Sequence, residues 1–216
     1  MKTIGIVGGI ACGKSTVAEY LHNLGAGVIK ADDIVHEVLN VPEIVDQINM
    51  RWGKSHGILF GYHPGGKVDR KKIADIVFKD KNELKFLEQI TWPEIARRMQ
   101  EKMRLYHPVY TPALVLDAPL LFEAGWDSLC DMIIFIDMSY GDRMLGFLRD
   151  KTRHPDRTAT DLDAREAQQL PLAEKKKRSS HVIINSRHSW DDTKKQIDEI
   201  WKTIPLVPVY DSLIDP

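Results

Sequence analysis

The sequence has few of the features that mark secreted, zinc-binding or membrane proteins. Its only two cysteines, Cys12 and Cys130, are too few for a disulfide framework and do not have the paired spacing of a zinc site. The most apolar stretch, residues 113–126, is interrupted by charged residues and a proline, and is shorter than the roughly 20 apolar residues of a membrane helix. The apolar run near the N-terminus is too short for a secretory signal. We therefore expect a cytoplasmic protein without disulfides or a membrane span.

The sequence also has no excess of one charge. Thirty Lys and Arg residues face 31 Asp and Glu residues, so no global positive field would attract nucleic acid or an anionic membrane. A hydrophobic share of 43% over 216 residues, with only 14 Gly and 11 Pro, excludes collagen-like and wholly disordered chains. We expect one domain, a monomer or weak homo-oligomer, that holds any anionic ligand at a local site.

Short apolar runs alternate with segments of helical period, which is typical of an α/β protein with a mostly parallel sheet and helices on both faces. The predicted strands are Thr3–Val7, Gly27–Ala31, Ala113–Asp117, Met132–Ile136 and His181–Ile184. The predicted helices are Lys14–Leu24, Asp33–Leu39, Glu43–Trp52, Arg70–Phe78, Lys81–Tyr106, Tyr140–Lys151, Asp161–Gln169, Leu172–Ser179 and Trp190–Thr203.

One motif carries most of the functional signal. Residues 8–15 read Gly-Gly-Ile-Ala-Cys-Gly-Lys-Ser and match GxxxxGK[ST] between a predicted strand and a predicted helix. The glycines let backbone N–H groups wrap an anion, and the helix N-terminus adds partial positive charge. Lys14 would reach the β and γ phosphates of a nucleotide, and Ser15 would ligate Mg²⁺. The alternative, a glycine-rich turn without a ligand, does not require this strand-loop-helix context.

Polar side chains follow the predicted strands at their carboxyl ends, where ligands bind in open α/β sheets. The first helix and the second strand have nearly equal lengths, so Asp32 is expected to return to the level of the loop. Asp32 could accept a proton from an attacking hydroxyl, or it could cap the helix predicted from Asp33. His36 lies one turn further and could face the same pocket. Asp117 is either a magnesium contact or a structural buried acid.

The spacing of the strands predicts how a P-loop fold is divided along the chain. The segment between the second and third strands is far longer than the dozen or so residues of a simple crossover. We expect a nucleotide-binding core at residues 1–39 and 110–204, a helical insert at about 40–109 and a lid at about 140–165. The glycine-rich segment 56–67 predicts a long loop or irregular hairpin, and the tail after residue 204 an extended surface segment.

The kind of P-loop protein follows from motifs elsewhere in the chain. The DxxG and NKxD elements of GTPases do not occur, whereas a base, an acceptor pocket and arginines that close over a phosphoryl group all have candidates. The sequence therefore favours a small-molecule kinase. The alternatives are a nucleoside, nucleotide or shikimate kinase, and a non-catalytic ATP-binding regulator.

Five short blocks stand in series between Thr3 and about Trp201. They are Ile4–Ala18 with the glycine-rich loop, Val28–Asp32 with His36, Val68–Arg70 with Val77–Phe78, Asp117–Glu123 (Asp-Ala-Pro-Leu-Leu-Phe-Glu), and Ala164–Arg165 with Gln169–Leu172, Glu174–Lys175 and Val182–Asn185. In this order they resemble the dephospho-CoA kinase family.

The resemblance implies ATP- and Mg²⁺-dependent phosphorylation of the ribose 3′-hydroxyl of dephospho-CoA, the last step of CoA synthesis. It also implies a nucleotide-kinase-like core with a helical CoA-accepting insert and a lid, and assigns the role of general base to Asp32. The residues that it assigns to ATP are Gly8, Gly9, Ile10, Ala11, Cys12, Gly13, Lys14, Ser15 and Thr16, with Asn185 at the adenine pocket. Those that it assigns to the acceptor are Arg70, Leu121, Phe122 and Glu123.

The sequence departs from the family pattern at several positions. Lys30 stands where the family usually has an aspartate, and Trp92-Pro93 replaces a common His-Pro. In the lid, Arg149 fits the second of two family arginines and is expected to balance charge on the moving phosphoryl group. Leu145 falls on the first of those positions unless Arg143 shifts into it.

Two conspicuous features have ordinary interpretations. The basic run Lys175–Arg178 is expected to be a solvated helix face, since no aromatic platform for nucleic acid accompanies it. Cys12 is either a small filler of the loop or a thiol activated by the helix N-terminus.

Overall fold

The computed structural model describes residues 1–53, 59–60, 67–149 and 158–205, with the backbone alone at Leu59, Phe60 and Lys67. The chain forms two compact units. The core unit contains the described residues of Met1–Lys30 and Met103–Pro216, and the insert unit is Ala31–Lys102. The middle of the predicted lid, most of the predicted loop at 56–67 and the tail after residue 205 lie outside the described residues.

The core unit is built on a parallel sheet whose strands are β1 (Lys2–Gly8), β2 (Gly27–Lys30), β5 (Ala113–Asp117), β6 (Met132–Asp137) and β7 (His181–Ile184). Their order in the sheet is β2-β5-β1-β6-β7. Asp117 stands opposite Ile6 of β1 and Lys30 of β2, so the carboxyl ends of β2 and β5 are level. Every residue of β5 is buried, which explains its unbroken apolar run.

Both faces of this sheet are covered. The helices of the core unit are α1 (Lys14–Asn23), α6 (Tyr140–Arg149), α7 (Ala159–Glu166), α8 (Leu172–Arg178) and α9 (Trp190–Trp201), with a 3₁₀ turn at Trp126–Leu129. One buried cluster joins Ile4 and Ile6 of β1 to Leu21 of α1 and Ile197 of α9. The neighbouring strand positions, such as Leu116, are equally buried but lie outside that cluster and point to the other face.

The insert unit is mainly helical. It contains α2 (Ala31–Val38), α3 (Pro42–Ile48) with a π-helical turn at Asn49–Gly53, an antiparallel pair of β3 (Leu59–Phe60) and β4 (Lys67–Val68), α4 (Arg70–Val77) and most of α5 (Lys81–Arg104). Trp52 is buried edge-on against Phe86, with ring centroids 5.4 Å apart. The carboxylate of Asp69 caps α4 by accepting from two backbone N–H groups of the first turn.

The structure confirms the predicted α/β class and the five parallel strands, and it corrects the bounds of several helices. The helix predicted for Asp161–Gln169, for example, is Ala159–Glu166. The helix predicted from Asp33 begins at Ala31, so Asp32 lies in its first turn and the alternative in which Asp32 caps this helix is wrong. An acidic residue in the first turn stabilises a helix even when it is not the N-cap, because its negative charge interacts favourably with the helix dipole. The helix predicted for Glu43–Trp52 ends at Ile48 and continues as the π-helical turn. Within the described residues, no helix is both long and apolar enough to cross a bilayer.

Candidate active site

The loop between β1 and α1 has the backbone conformation of an anion-binding turn. Ala11 has φ of 60° and Gly13 has φ of 92°, both in the left-handed region. A Cβ atom on Gly13 would also lie 2.4 Å from Nδ2 of Asn185, so this position requires glycine for conformation and for space. The helical pattern starts where the Val17 N–H donates to Gly13 O at 3.0 Å. The first amides of α1 therefore have no helical partners, as in helix termini that bind phosphates.

The side chain of Lys14 folds back onto the loop. Its Nζ atom donates to Gly9 O at 2.9 Å and to Gly8 O at 3.2 Å. Cys12 is fully buried, with Sγ 3.9 Å from Lys14 Nζ, and belongs to the core cluster between sheet and helices. This burial favours the interpretation of Cys12 as a filler over that of an accessible thiol.

Ser15 and Asp117 bring two oxygen ligands together. Ser15 Oγ donates to Asp117 Oδ2 at 3.1 Å, and the Asp117 residue is 8% exposed at the end of β5. A hydroxyl and a carboxylate are hard oxygen donors, and they fit Mg²⁺ because this ion needs few protein ligands when phosphates and waters complete its shell. Among the residues that the structure describes, no group of three or more His, Cys, Asp or Glu side chains could hold a metal.

Asn185, which directly follows β7, is hydrogen-bonded to the loop. Its Nδ2 donates to Cys12 O at 2.9 Å, and its Oδ1 accepts from Thr193 Oγ1 at 3.1 Å. Its backbone N–H donates to Asp137 O at 2.7 Å. These bonds give Asn185 a direct structural role at the loop, which sequence reasoning missed. Its predicted contact with adenine stays a prediction.

The segment after β5 is packed into the core unit. Leu121 is fully buried, and a Cβ atom on Gly5 would lie 2.6 Å from Leu121 Cδ2 and 2.9 Å from Cys130 Sγ. Burial raises the pKa of the Cys130 thiol to about 12, so this thiol stays protonated at neutral pH. The Arg178 guanidinium lies 4.2 Å from the ring centroid of Phe122. The prediction that Leu121 and Phe122 contact the acceptor stays a prediction.

Lys175 corrects the prediction of a solvated basic face on α8. Its side chain is fully buried, and Nζ lies 2.8 Å from Glu123 Oε1, 2.9 Å from Gln169 Oε1 and 3.0 Å from Pro119 O. Its neighbour Lys176 is exposed as expected. The two lysines look alike in sequence, and the partners that bury Lys175 come largely from the distant segment after β5. Glu123 therefore has a structural partner in Lys175, and its predicted contact with the acceptor stays a prediction.

The two arginines of α6 that were considered for the lid have different surroundings. Arg149 is exposed at the end of the helix, and its role over the phosphoryl group stays a prediction. Arg143 is 4% exposed and packs against the loop, where a Cβ atom on Gly9 would lie 2.6 Å from its Nη1. It forms an ion pair with Glu166 of α7. Sequence reasoning missed Glu166, since no motif marks an acid on α7 that returns to the loop.

Three predicted residues lie in the insert unit. Asp32 and His36 are exposed one helical turn apart on α2, so they share a face of that helix. Arg70 is the exposed first residue of α4. Their roles as general base and acceptor contacts stay predictions.

The five-stranded parallel sheet, the GxxxxGKS loop and the Ser15–Asp117 pair define a P-loop nucleotide-binding protein. The family model described as "CoaE: Dephospho-CoA kinase" matches residues 2–191. The chain therefore belongs to the dephospho-CoA kinase family, and the family predicted from the five sequence blocks is confirmed.

Individual relatives agree with this assignment over nearly the full chain. The chain is 34% identical to the dephospho-CoA kinase of Symbiobacterium thermophilum, over 94% of this chain and 81% of that protein. It is 32% identical to the enzyme of Aquifex aeolicus, over 96% and 100%. Among solved structures, the dephospho-CoA kinase of Campylobacter jejuni superposes with a TM-score of 0.66 at 27% identity, covering 93% of this chain and 95% of that one. TT1252 of Thermus thermophilus superposes with a TM-score of 0.76 at 27% identity, covering 94% and 98%.

Proposed function

We propose that this chain transfers the γ-phosphoryl group of ATP to the 3′-hydroxyl of dephospho-CoA, giving CoA and ADP. The family match over residues 2–191 carries this proposal, because it spans both the loop and the insert unit. The near-zero net charge supports small-molecule substrates over nucleic acid. We infer that the protein acts in the cytoplasm as a monomer or weak homo-oligomer.

The loop of residues 8–16 binds the phosphates of ATP in this proposal. Backbone N–H groups at the start of α1 donate to phosphate oxygens, and Lys14 turns its ammonium group from the Gly8 and Gly9 carbonyls to the β and γ phosphates. The Asn185 amide donates to the Cys12 carbonyl and so helps to fix the position of the loop. Preorganised donors of this kind stabilise the charge that develops on the moving phosphoryl group.

Mg²⁺ is the metal that these residues fit. Ser15 Oγ and Asp117 Oδ2, 3.1 Å apart, would hold it directly or through water. When bound, the ion would neutralise charge on the β and γ phosphates. Replacing Ser15 by alanine is then expected to raise the magnesium concentration needed for half-maximal activity.

Asp32 supplies the base in this mechanism. It accepts the proton of the 3′-hydroxyl as the 3′-oxygen forms a bond to the γ-phosphorus and the bond from that phosphorus to the β–γ bridging oxygen breaks, so that ADP leaves with the bond electrons. Arg149 balances the charge of the transferring group, and closure of the lid excludes water that would otherwise hydrolyse ATP. The position of Asp32 in the chain supports this assignment, because it follows the end of β2 by two residues and is exposed in the first turn of α2.

The test compares two adjacent carboxylates. Asp32→Asn should lower kcat for CoA formation by about 10²- to 10⁴-fold, the usual contribution of a general base, with nearly unchanged ATP affinity. Asp33→Asn is the matched control, because Asp33 is the exposed neighbour in the same first turn of α2. CoA is measured by mass spectrometry, and ATP binding by calorimetry. Equal turnover in the two variants would remove Asp32 from this role.

A panel of acceptors tests the substrate. Dephospho-CoA should give far more ADP than nucleosides, nucleotides or shikimate at equal concentration. Faster turnover of any of these alternatives would contradict the proposed substrate, and tight ATP binding without transfer to any acceptor would contradict enzymatic function.

A further inference from the structure

A carboxylate of the protein itself is hydrogen-bonded to the phosphate loop. Glu166, the last residue of α7, places Oε1 2.9 Å from the backbone N of Ile10 and accepts its hydrogen. Ile10 lies within the glycine-rich loop, whose N–H groups are the donors expected to face nucleotide phosphates. A carboxylate and a phosphate oxygen use the same kind of donor. This amide is therefore bonded to a group that resembles the ligand of the loop.

The same carboxylate oxygen also pairs with Arg143. The Arg143 guanidinium donates to Glu166 Oε1 and packs against Gly9 of the loop. The residue is 4% exposed, and its Nε is buried without a hydrogen-bond acceptor among the described residues. An arginine offers five N–H donors, so this one has capacity that a single carboxylate oxygen does not use. A buried cation with an unused donor at a phosphate loop is well placed to accept a more highly charged anion.

Space for such an anion lies beside the arginine. Arg143 and Gly9 line a cavity of about 200 Å³ together with Asp137 and Lys176. Lys176 Nζ pairs with Asp137 at 2.8 Å, and both groups are partly exposed to solvent. Two cations and one acid therefore border the cavity.

From these contacts we propose that Glu166 is an internal competitor of the nucleotide: its carboxylate holds the Ile10 N–H and the Arg143 guanidinium, and a phosphate of ATP displaces it and takes over both donors. Arg143 then becomes a phosphate-binding residue, and the end of α7 moves away from the loop. The free energy of breaking the Glu166 contacts is subtracted from the binding energy of ATP. The enzyme therefore binds ATP more weakly than its loop alone would.

Contacts around α6 and α7 explain how the competitor is held. The Tyr140 hydroxyl of α6 donates to Asp163 Oδ1 of α7 at 2.9 Å, a bond that raises the pKa of Tyr140. At the start of α7, Thr158 and Asp161 form a capping box. Glu166 is thus presented by a helix that is tied to α6 at a separate point. Release of Glu166 does not require α7 to unfold.

The experiment measures nucleotide affinity by calorimetry in variants of the full chain. Glu166→Gln keeps the size and an acceptor oxygen but removes the charge, and it should tighten ATP binding by on the order of tenfold. The gain should be much smaller for AMP, which lacks the β and γ phosphates. Arg143→Met should weaken ATP binding, and Arg143→Lys should restore part of the loss because it keeps the positive charge.

Glu174→Gln is the matched control, since Glu174 is an exposed acid on the next helix and has no place in the proposed site. It should leave ATP affinity unchanged. If Glu166 only stabilises the fold, Glu166→Gln will lower Tm and leave ATP affinity equal or weaker, and this result would overturn the inference. An equal gain for ATP and AMP would also overturn it, because competition with the terminal phosphates requires a difference.

The inference rests on the proposed function only for the identity of ATP as ligand. A chain that binds ATP more tightly after Glu166→Gln but forms no CoA would contradict the proposed function and support the competitor. If the wild-type chain forms CoA and Glu166→Gln does not change ATP affinity, the proposed function is supported and the role of Glu166 as a competitor is contradicted.

Discussion

The two compact units of this chain contain polar and charged groups in different surroundings. In the core unit, Lys175 and Asn185 are buried, and each has several partners drawn from distant parts of the chain. In the insert unit, the charged pairs lie near the surface and include Glu94 with Arg98, one turn apart on α5. Buried charges cost much when a partner is lost, whereas exposed pairs contribute little. Loss of a buried partner in the core unit should therefore cost more stability than loss of an exposed ion pair in the insert unit.

The largest expected effect is at the buried lysine of α8. Lys175→Met removes the charge that compensates Glu123 and should destabilise the protein by about 3–5 kcal/mol, because a buried carboxylate is left unpaired. Lys177→Met, at an exposed position of the same helix, is the control and should change stability little. Urea unfolding followed by circular dichroism gives both values. Similar losses in the two variants would show that the contrast between buried and exposed charges does not hold.

A smaller loss of stability is expected at Asn185, whose side chain is hydrogen-bonded to the phosphate loop. Asn185→Ala leaves the Cys12 carbonyl and the Thr193 hydroxyl without this partner, which should cost about 1–3 kcal/mol. The loop should also become less ordered, so ATP binding should weaken. Asn82→Ala, at an exposed position in the insert unit, is the control. An Asn185→Ala variant with native stability would mean that the loop is held by other contacts.

The insert unit should respond weakly to loss of an ion pair. Glu37 lies 2.7 Å from Lys102 and 3.2 Å from Arg98, with all three side chains partly exposed. Glu37→Gln should cost about 0.2–1 kcal/mol, less in high salt because exposed pairs are screened. Thermal unfolding at low and high ionic strength measures the change. A loss as large as that of Lys175→Met would contradict the comparison.

The smallest effect is a dependence on acid pH. Hydrogen bonds from Arg97 and Arg98 lower the pKa of Glu94 to about 2, and the bond from Lys102 lowers the pKa of Glu37. Because these folded-state values lie below the unfolded ones, the stabilisation is present above about pH 4.5 and is lost as pH falls toward 2. Glu94→Gln should flatten this part of the pH–stability curve. An unchanged slope would show that the pair contributes nothing.

The contrast between the units also appears in what the sequence could predict. Strand β5 was predicted with its observed bounds, because a buried parallel strand has a short apolar run that ends at polar residues. Strand β7 was also predicted with its observed bounds, although it lies at the edge of the sheet and only Ile183 in it is buried. The phosphate loop was predicted because its residue types follow directly from its chemistry. In the insert unit, the helix predicted for Glu43–Trp52 changes to a π-helical turn at Asn49–Gly53, a change that no local pattern in the sequence marks.

Polar contacts between residues far apart in the chain could not be predicted from the sequence. Glu166 lies 156 positions from Ile10, and Lys175 lies 56 positions from Pro119. Nothing local distinguishes Lys175 from Lys176 or marks Glu166 as the acid that returns to the loop. Helical period gives the face of a residue on its own helix, and tertiary packing decides what that face meets.

The most direct test of the proposed reaction follows the phosphoryl group itself. The purified chain is incubated with Mg²⁺, dephospho-CoA and ATP radiolabelled at the γ-phosphate, and the product is then treated with a 3′-nucleotidase. If the chain phosphorylates the 3′-hydroxyl, label enters CoA in step with ADP formation and the 3′-nucleotidase releases it. Label that appears only as inorganic phosphate, or a labelled product that resists the 3′-nucleotidase, would contradict it.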